Sequence, residues 1–150
     1  MKIIVVIERD RHGFGAFTSN TESTIIGEGE TALEAKEDFI KSFSEVVESY
    51  GESLPEELTD PTFEFKYDVS AFFDMFDFIN VTRFAKRIGI NSSLMRHYKL
   101  GDTYISDAQA HKIESGLHEI AEQLLQVRLF ILWLERRFVR KGRKQIGLTF

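Results

Sequence analysis

A run of cations without a single acid lies in the second half of the chain. Between Thr82 and Gly101 there are five lysines and arginines and no aspartate or glutamate. Ser92 and Ser93 open the later part of this run, and Arg96 and Lys99 follow. Arginine donates paired hydrogen bonds to guanine edges, while lysine and serine contact phosphate oxygens. This combination of residue types is typical of a surface that binds DNA.

Two short helices are predicted to position those side chains. Asn80 is expected to cap a helix over residues 81–88, which Gly89 would end. Asn91 is expected to cap a second helix over residues 92–99. Two short helices joined at a glycine are the geometry of a helix-turn-helix.

Apolar spacing predicts which sides of the two helices are buried. The residues expected to face the core are Phe84, Ala85, Ile88, Ile90, Leu94 and Tyr98. The residues predicted to contact DNA are Thr82, Asn91, Ser92, Ser93, Arg96, His97 and Lys99. The alternative is a plain helical hairpin with solvated charges, but the absence of carboxylates favours DNA binding.

The first 69 residues predict a small β-β-β-α-β domain. Its strands are expected at Ile3–Ile7, Phe14–Thr18, Ser23–Gly27 and Thr62–Val69. Between the third and fourth strands, Thr31 and Glu34 fit a capping box that opens a helix ending near Gly51. One helix covers only one face of a four-stranded sheet. The other face is therefore expected to be polar or to be buried against a partner.

Helical patterns occupy the chain from Ser70 onward. Ser70 is expected to cap a helix that ends at Ile79, and Ser106 opens a long helix further on. The predicted fold class is therefore α+β, with an α+β domain at 1–69 and an all-α helix-turn-helix domain at 70–126.

Residues 127–150 form an apolar and then basic C-terminal extension. Val127–Leu134 is apolar on every face of a helix, as a buried interface would be. A palindromic DNA site needs a two-fold protein, so we expect a homodimer or a higher homo-oligomer formed through this segment. The following basic stretch, Arg136–Lys144, would contact phosphates or RNA, or stay disordered.

Charge is divided unevenly between the two halves. Residues 1–77 hold 6 Lys/Arg and 18 Asp/Glu, a net charge of −12, and residues 78–150 hold 13 and 6, a net charge of +7. An acidic half attracts a basic partner and speeds its association. The same charge would also keep a small domain in solution, and the sequence leaves both interpretations open.

Composition limits where the protein can be located and which kinds of chemical site it can contain. The chain has no cysteine, which excludes disulfides, thiolate metal sites and a cysteine nucleophile. The longest apolar run, Leu129–Leu134, has six residues, far below the roughly 18 of a membrane helix. The N-terminal apolar run is also too short for a signal peptide. We expect a cytoplasmic protein without a membrane partner.

Three other groups of residues suggest chemistry less strongly. Gly27–Gly29 lacks the third glycine of a phosphate loop and favours a tight turn. His111 and His118 are too few for a metal site. A two-metal nuclease needs converging carboxylates, and the candidates are Glu8, Asp10, Glu28 and Glu30. We predict no catalytic residue, no metal and no cofactor.

Several segments carry a resemblance to a known family. The helix-turn-helix, with Gly89–Leu94 (GINSSL), resembles the Cro/Xre type. The chain through about Val127 resembles HicB-family antitoxins that carry such a domain at the C-terminus. That resemblance lies in the strand order, in Gly27–Ala35 (GEGETALEA) and in Lys112–His118 (KIESGLH). Many members have a proline-rich turn where Thr18–Ser23 has no proline.

The resemblance implies a degenerate RNase H-like fold for residues 1–69, without nuclease activity. It also implies that the chain neutralises a small, basic, HicA-like mRNA-cleaving toxin and represses its own operon through the helix-turn-helix. It assigns no toxin-contacting residues. The expected partners are therefore operator DNA and the toxin.

Two other functions remain open at this point. A ligand-sensing transcriptional regulator would have a deep apolar pocket in the N-terminal domain. A nuclease with an RNase H-like site would show metal-dependent cleavage that Asp10→Ala abolishes.

Overall fold

A computed structural model describes residues 1–130 and shows a mixed α+β fold. The chain divides into one compact unit, Met1–Glu114, and a second that begins at Ser115. The strands are β1 (Lys2–Arg9), β2 (Phe14–Thr18), β3 (Ile26–Gly29) and β4 (Thr62–Tyr67). The helices are α1 (Ala32–Tyr50), α2 (Val69–Met75), α3 (Val81–Ile88), α4 (Ser92–Leu100) and α5 (Asp107–Leu125). No helix among residues 1–130 is long and apolar enough to cross a membrane.

The four strands form one sheet in the order β3-β2-β1-β4. β1, β2 and β3 run antiparallel, whereas β4 lies parallel to β1. Parallel neighbours need a crossover connection, and α1 supplies it. The alternate residues Ile3, Val5 and Ile7 are fully buried beneath the helices, while Ile4 and Val6 are only half-buried on the other face. One face of the sheet is therefore covered within the first unit.

Local and long-range contacts fix α1 on the sheet. The predicted capping box is confirmed: Glu34 N donates to Thr31 Oγ1 at 3.1 Å, and Thr31 N donates to Glu34 Oε2 at 3.0 Å. From the same helix, Phe39 packs edge-on against Phe63 with ring centroids 5.6 Å apart. Phe43 packs on the same ring at 5.0 Å. Aromatic packing thus joins α1 to β4 across the covered face.

The predicted third strand, Ser23–Gly27, is wrong by several residues, because β3 runs from Ile26 to Gly29. Side-chain hydrogen bonds hold the preceding residues in a loop. Thr18 Oγ1 donates to Ser23 O at 3.3 Å and accepts from Ile25 N at 3.0 Å. Threonine side chains that bond nearby backbone groups compete with strand pairing in this way.

The predicted start and end of α2 are also wrong. The N-cap residue is Asp68, whose Oδ1 accepts from Ala71 N at 2.6 Å. Ser70 lies inside the helix, is 2% exposed, and accepts a hydrogen bond from Arg9 Nε. The helix ends at Met75 rather than Ile79. An acidic side chain two residues earlier, that of Asp68, caps the helix, so the Ser70 hydroxyl is left for the tertiary contact.

The boundary predicted between residues 69 and 70 lies within the first compact unit. Arg9 N donates to Asp68 Oδ2 at 3.0 Å, and Ala32 N donates to Asp74 Oδ2 at 2.8 Å. These bonds tie α2 to β1 and to the start of α1. The division into functional domains at 1–69 and 70–126 stays a prediction. Of the predicted extension, residues 131–150 lie outside the described part of the chain.

Gly27 is where β3 approaches α1 most closely, and it provides the first test of this packing. A Cβ atom at Gly27 would lie 2.1 Å from Phe39 N, whereas one at Gly15 would meet only Asp10 Oδ2 at 3.8 Å. We expect Gly27→Ala to lower the free energy of unfolding by at least about 2 kcal/mol, because backbone must move. The matched control Gly15→Ala should stay within about 0.5 kcal/mol of the parent. Urea denaturation of both variants checks this, and equal stabilities would contradict the close approach.

Candidate nucleic-acid interface

α3 has the predicted bounds, and α4 begins where the sequence predicts but ends one residue later, at Leu100. Asn80 Oδ1 accepts from Arg83 N at 2.9 Å to cap α3. Gly89 ends that helix with φ = 74°, a left-handed conformation that favours glycine. Asn91 Oδ1 then accepts from Leu94 N at 3.1 Å to cap α4. Local side-chain and backbone bonds therefore set the bounds of α3, the turn and α4.

A small core lies beneath the two helices. Phe73 of α2 is buried, as are Phe84, Ala85, Ile90, Met95 and Tyr98 of α3, the turn and α4; Ile113 of α5 is also buried. Phe84 packs edge-on against Phe73 of α2, with ring centroids 5.9 Å apart. Met95 is fully buried although the sequence assigned its neighbour Leu94 to the core, and Leu94 is only half-buried. The spacing of three residues between Met95 and Tyr98 was the available signal for this position.

The residues predicted to contact DNA fall into two groups. Those exposed to solvent are Asn91, Ser93, Arg96, His97 and Lys99. Thr82 and Ser92 are half-buried because they contact each other: Ser92 Oγ donates to Thr82 O at 3.5 Å. Arg96 Nη1 also donates to Thr82 Oγ1, at 3.4 Å. The structure thus brings the start of α3 against the first turns of α4.

This arrangement places two helix N-termini side by side. The first backbone N–H groups of a helix have no partner inside the helix, and the helix dipole adds partial positive charge there. The nearby side chains, Ser93 and Arg96, add a hydroxyl and a guanidinium to the same surface. Anions such as phosphate commonly bind at helix N-termini.

His97 has a partner within the chain. Its Nδ1 lies 3.0 Å from Asp102 Oδ1 and 3.2 Å from Oδ2. Asp102 is the first acid after the run of cations, so the surface is bounded by a carboxylate at this end. The contact with Asp102 therefore restricts the orientation of the His97 ring.

Lys112 of α5 is a supporting residue that the sequence did not reveal. Its Nζ donates to Gly89 O at 2.8 Å, across 23 residues of sequence. The bond satisfies the carbonyl at the turn between α3 and α4. No local pattern signals a contact of this separation, because it depends on the packing of α5.

Asp10, one of the acids considered for metal chemistry, has another role. Asp10 Oδ1 accepts from His12 N at 2.6 Å and from Gly13 N at 2.8 Å, which holds the turn between β1 and β2. Among residues 1–130, no three histidine, aspartate or glutamate side chains come together as a metal site requires. The surface formed by α3 and α4 remains the candidate site.

Substitution of Gly89 tests whether the turn between α3 and α4 needs a residue that tolerates positive φ. We expect Gly89→Ala to lower the free energy of unfolding by about 1–2 kcal/mol, because alanine is disfavoured at positive φ. A Cβ atom there would meet nothing closer than Lys112 Nζ at 3.6 Å, so the effect is conformational rather than steric. Gly89→Asn is the matched control and should lose less, since asparagine tolerates this conformation. Circular dichroism during urea denaturation measures both, and an equal loss in both variants would contradict the conformational explanation.

Comparison with known proteins gives no match that would suggest a function. No family model, curated protein or solved structure matches the sequence or the fold. Any function of the α3–α4 surface must therefore be inferred from its own geometry and charge.

Proposed function

We propose that this chain is an antitoxin that represses its own operon. In this proposal α3 and α4 bind operator DNA, and the acidic α+β part binds and occludes a small, basic, mRNA-cleaving toxin. One observation carries the proposal: α4 presents Ser93, Arg96 and Lys99 to solvent next to the N-terminus of α3. The resemblance to HicB-family antitoxins agrees with both activities.

α4 has the dimensions and side chains of a recognition helix. An α-helix with its side chains is about 10–12 Å across, and the major groove, about 12 Å wide, admits one; the nine residues of α4 give it a length of about 13 Å. Arg96 is suited to donate two hydrogen bonds to a guanine edge, and Ser93 is suited to a phosphate or a base edge. The contact between Arg96 and Thr82 holds the guanidinium over the start of α3. The side chain is thus partly ordered before DNA arrives.

α3 is placed to contact the DNA backbone. Its N-terminal N–H groups and Thr82 lie beside α4, and Lys86 and Arg87 follow in its last turn. Contacts of this kind fix the orientation of a protein on the duplex without reading sequence. Binding is expected to weaken as salt rises, because bound cations release counterions from the DNA.

The toxin-binding part of the proposal rests on charge. The outward side of α1 is rich in exposed carboxylates, which are Glu34, Glu37, Asp38, Glu45 and Glu48. A toxin that binds RNA carries positive charge. Opposite charge speeds the encounter of two proteins and disfavours partners of the wrong sign. The acidic surface of α1 is therefore the proposed binding site for the toxin.

The alternative, a ligand-sensing regulator, finds less support in the first unit. A cleft of about 770 Å³ lies near the N-terminus, but sensing an apolar ligand calls for mostly apolar walls. Its lining contains three glutamates: the residues are Met1, Glu22, Ser23, Tyr50, Pro55, Glu56, Glu57 and Thr59.

DNA binding is tested with the duplex that lies upstream of the gene for this chain. We expect Arg96→Ala to weaken specific binding by about 1–3 kcal/mol, the value of one bidentate base contact. Lys41→Ala removes a cation from α1, where its side chain is 74% exposed, and should leave the affinity unchanged. Gel-shift titration at two salt concentrations measures the affinities. An unaltered affinity for Arg96→Ala would remove its assigned role, and no binding by the parent chain would overturn the DNA-binding proposal.

Toxin binding is tested with the product of the neighbouring reading frame. We expect it to co-purify with this chain and to associate more slowly, by about tenfold at low salt, with the double variant Glu37→Lys/Glu48→Lys. Glu119→Lys/Glu122→Lys makes the same change of charge on α5 and should keep the parent rate. Stopped-flow mixing gives the rates. Equal rates for the two double variants would contradict α1 as the binding site, and absence of a complex would contradict the antitoxin proposal.

A further inference from the structure

β4 lies at an edge of the sheet and presents a free row of backbone groups. Its neighbour within residues 1–130 is β1 alone. Thr62 N donates to Met1 O at 3.0 Å, and Asp68 N donates to Ile7 O at 2.9 Å. Because backbone groups alternate in direction along a strand, the N–H and C=O groups of Phe63, Phe65 and Tyr67 point away from β1. In the described part of the chain these groups have no backbone partner.

The opposite edge of the sheet is protected. At β3, Glu28 N donates to Asp38 Oδ2 of α1 at 2.9 Å, which blocks pairing with another strand. Gly27 and Gly29 also lie directly beneath α1. Proteins commonly cover or block an exposed edge in this way to avoid unwanted pairing. Such protection is present at β3, whereas the outward groups of β4 remain open to a strand.

The charges on β4 are complementary to those of a second β4. If two copies pair antiparallel about Phe65, Glu64 lies opposite the partner's Lys66, and Lys66 lies opposite the partner's Glu64. Within one chain Lys66 Nζ lies 3.9 Å from Glu64 Oε1, and the two side chains stay 57% and 36% exposed, so both can still meet the opposite charge of a second copy. The hydrogen bond from Lys2 lowers the pKa of Glu64, so its carboxyl is charged at neutral pH. Directly opposed charges of opposite sign stabilise strand pairing.

The backbone and the aromatic side chains fit the same register. Phe65 would exchange two hydrogen bonds with the partner's Phe65, and Phe63 would exchange two with the partner's Tyr67 at each end. The rings of Phe63, Phe65 and Tyr67 are only half-buried within one chain. Pairing would bring these aromatic rings opposite one another and bury them further.

We propose that two copies of this chain associate through antiparallel pairing of their β4 strands, which gives a continuous eight-stranded sheet. The two-fold axis passes beside Phe65, so the same residues contribute from both copies. This interface is separate from the Val127–Leu134 segment that the sequence suggested for dimerisation. It does not rest on the antitoxin proposal, because it uses no residue of α1, α3 or α4.

Two single charge reversals test the register. In Lys66→Glu the opposed pairs become Glu–Glu, and in Glu64→Lys they become Lys–Lys. We expect each variant alone to raise the dissociation constant of self-association about tenfold or more, because two attractive pairs become repulsive. An equimolar mixture restores Glu–Lys pairs at both positions and should recover the parent association. Sedimentation equilibrium measures all three, and Lys41→Glu is the charge-matched control expected to behave as the parent.

Crosslinking gives a second measurement, since the chain has no cysteine of its own. In the proposed register, residue 64 and residue 66 of the second copy form a non-hydrogen-bonded pair. The Cα atoms of such a pair are about 4.5 Å apart, within the reach of a disulfide. A mixture of Glu64→Cys and Lys66→Cys chains should therefore form a disulfide dimer under mild oxidation, in higher yield than either chain alone. A mixture of Glu64→Cys with Lys41→Cys should not.

Several results would overturn the proposal. Unchanged association of both charge reversals would do so, as would a mixture that fails to recover. A parent chain that is monomeric at tens of micromolar would do the same. If the parent is monomeric and the β4 variants lose toxin binding instead, the edge serves the toxin and not a second copy. Circular dichroism of each variant establishes that the fold is kept, so that a loss of association is not a loss of folding.

Discussion

A single carboxylate joins the sheet to the helices that follow it. Asp68 stands directly after β4, accepts from Arg9 N with one oxygen, and caps α2 through Ala71 N with the other. Arg9 in turn lies 4.6 Å over the Phe14 ring and donates to Ser70. Because β4 is parallel to β1, its end meets the end of β1, and these contacts are possible only in that topology. The direction of α2, and with it the packing of Phe73 against Phe84, depends on this junction.

Sequence patterns located most elements because their signals are local. The capping box at Thr31, the caps at Asn80 and Asn91 and the left-handed Gly89 each involve residues within four positions of one another. Helix boundaries set by such contacts are visible in the sequence. The start of α2 was missed because Asp68 and Ser70 are both competent caps. The choice between them depends on Arg9, which is about sixty residues away in the chain.

The candidate site shows the same limit. Solvent exposure of Ser93, Arg96 and Lys99 followed from the apolar spacing of α4. The contact of Arg96 with Thr82 and the bond from Lys112 to Gly89 did not, since they join residues 14 and 23 positions apart. These long-range bonds determine how rigidly the surface is held. If this surface binds DNA as proposed, side chains that are ordered before binding would lose less conformational entropy, so the long-range bonds that local patterns miss would favour binding.

The proposed surfaces occupy different elements of the first unit. DNA would contact α3 and α4, the toxin would contact the carboxylates of α1, and a second copy would pair along β4. A two-fold pairing of β4 would add no bond to DNA, yet it would couple two α3–α4 surfaces. If those surfaces bind DNA as proposed, the second contact would form at a high effective concentration and raise the overall affinity for a palindromic site without any new base contact. The gain depends on whether the two surfaces reach half-sites about one helical turn apart, about 34 Å. An operator whose half-sites lie at another spacing would be bound by each surface independently. The geometry of the β4 pairing would therefore decide which half-site spacing is bound tightly.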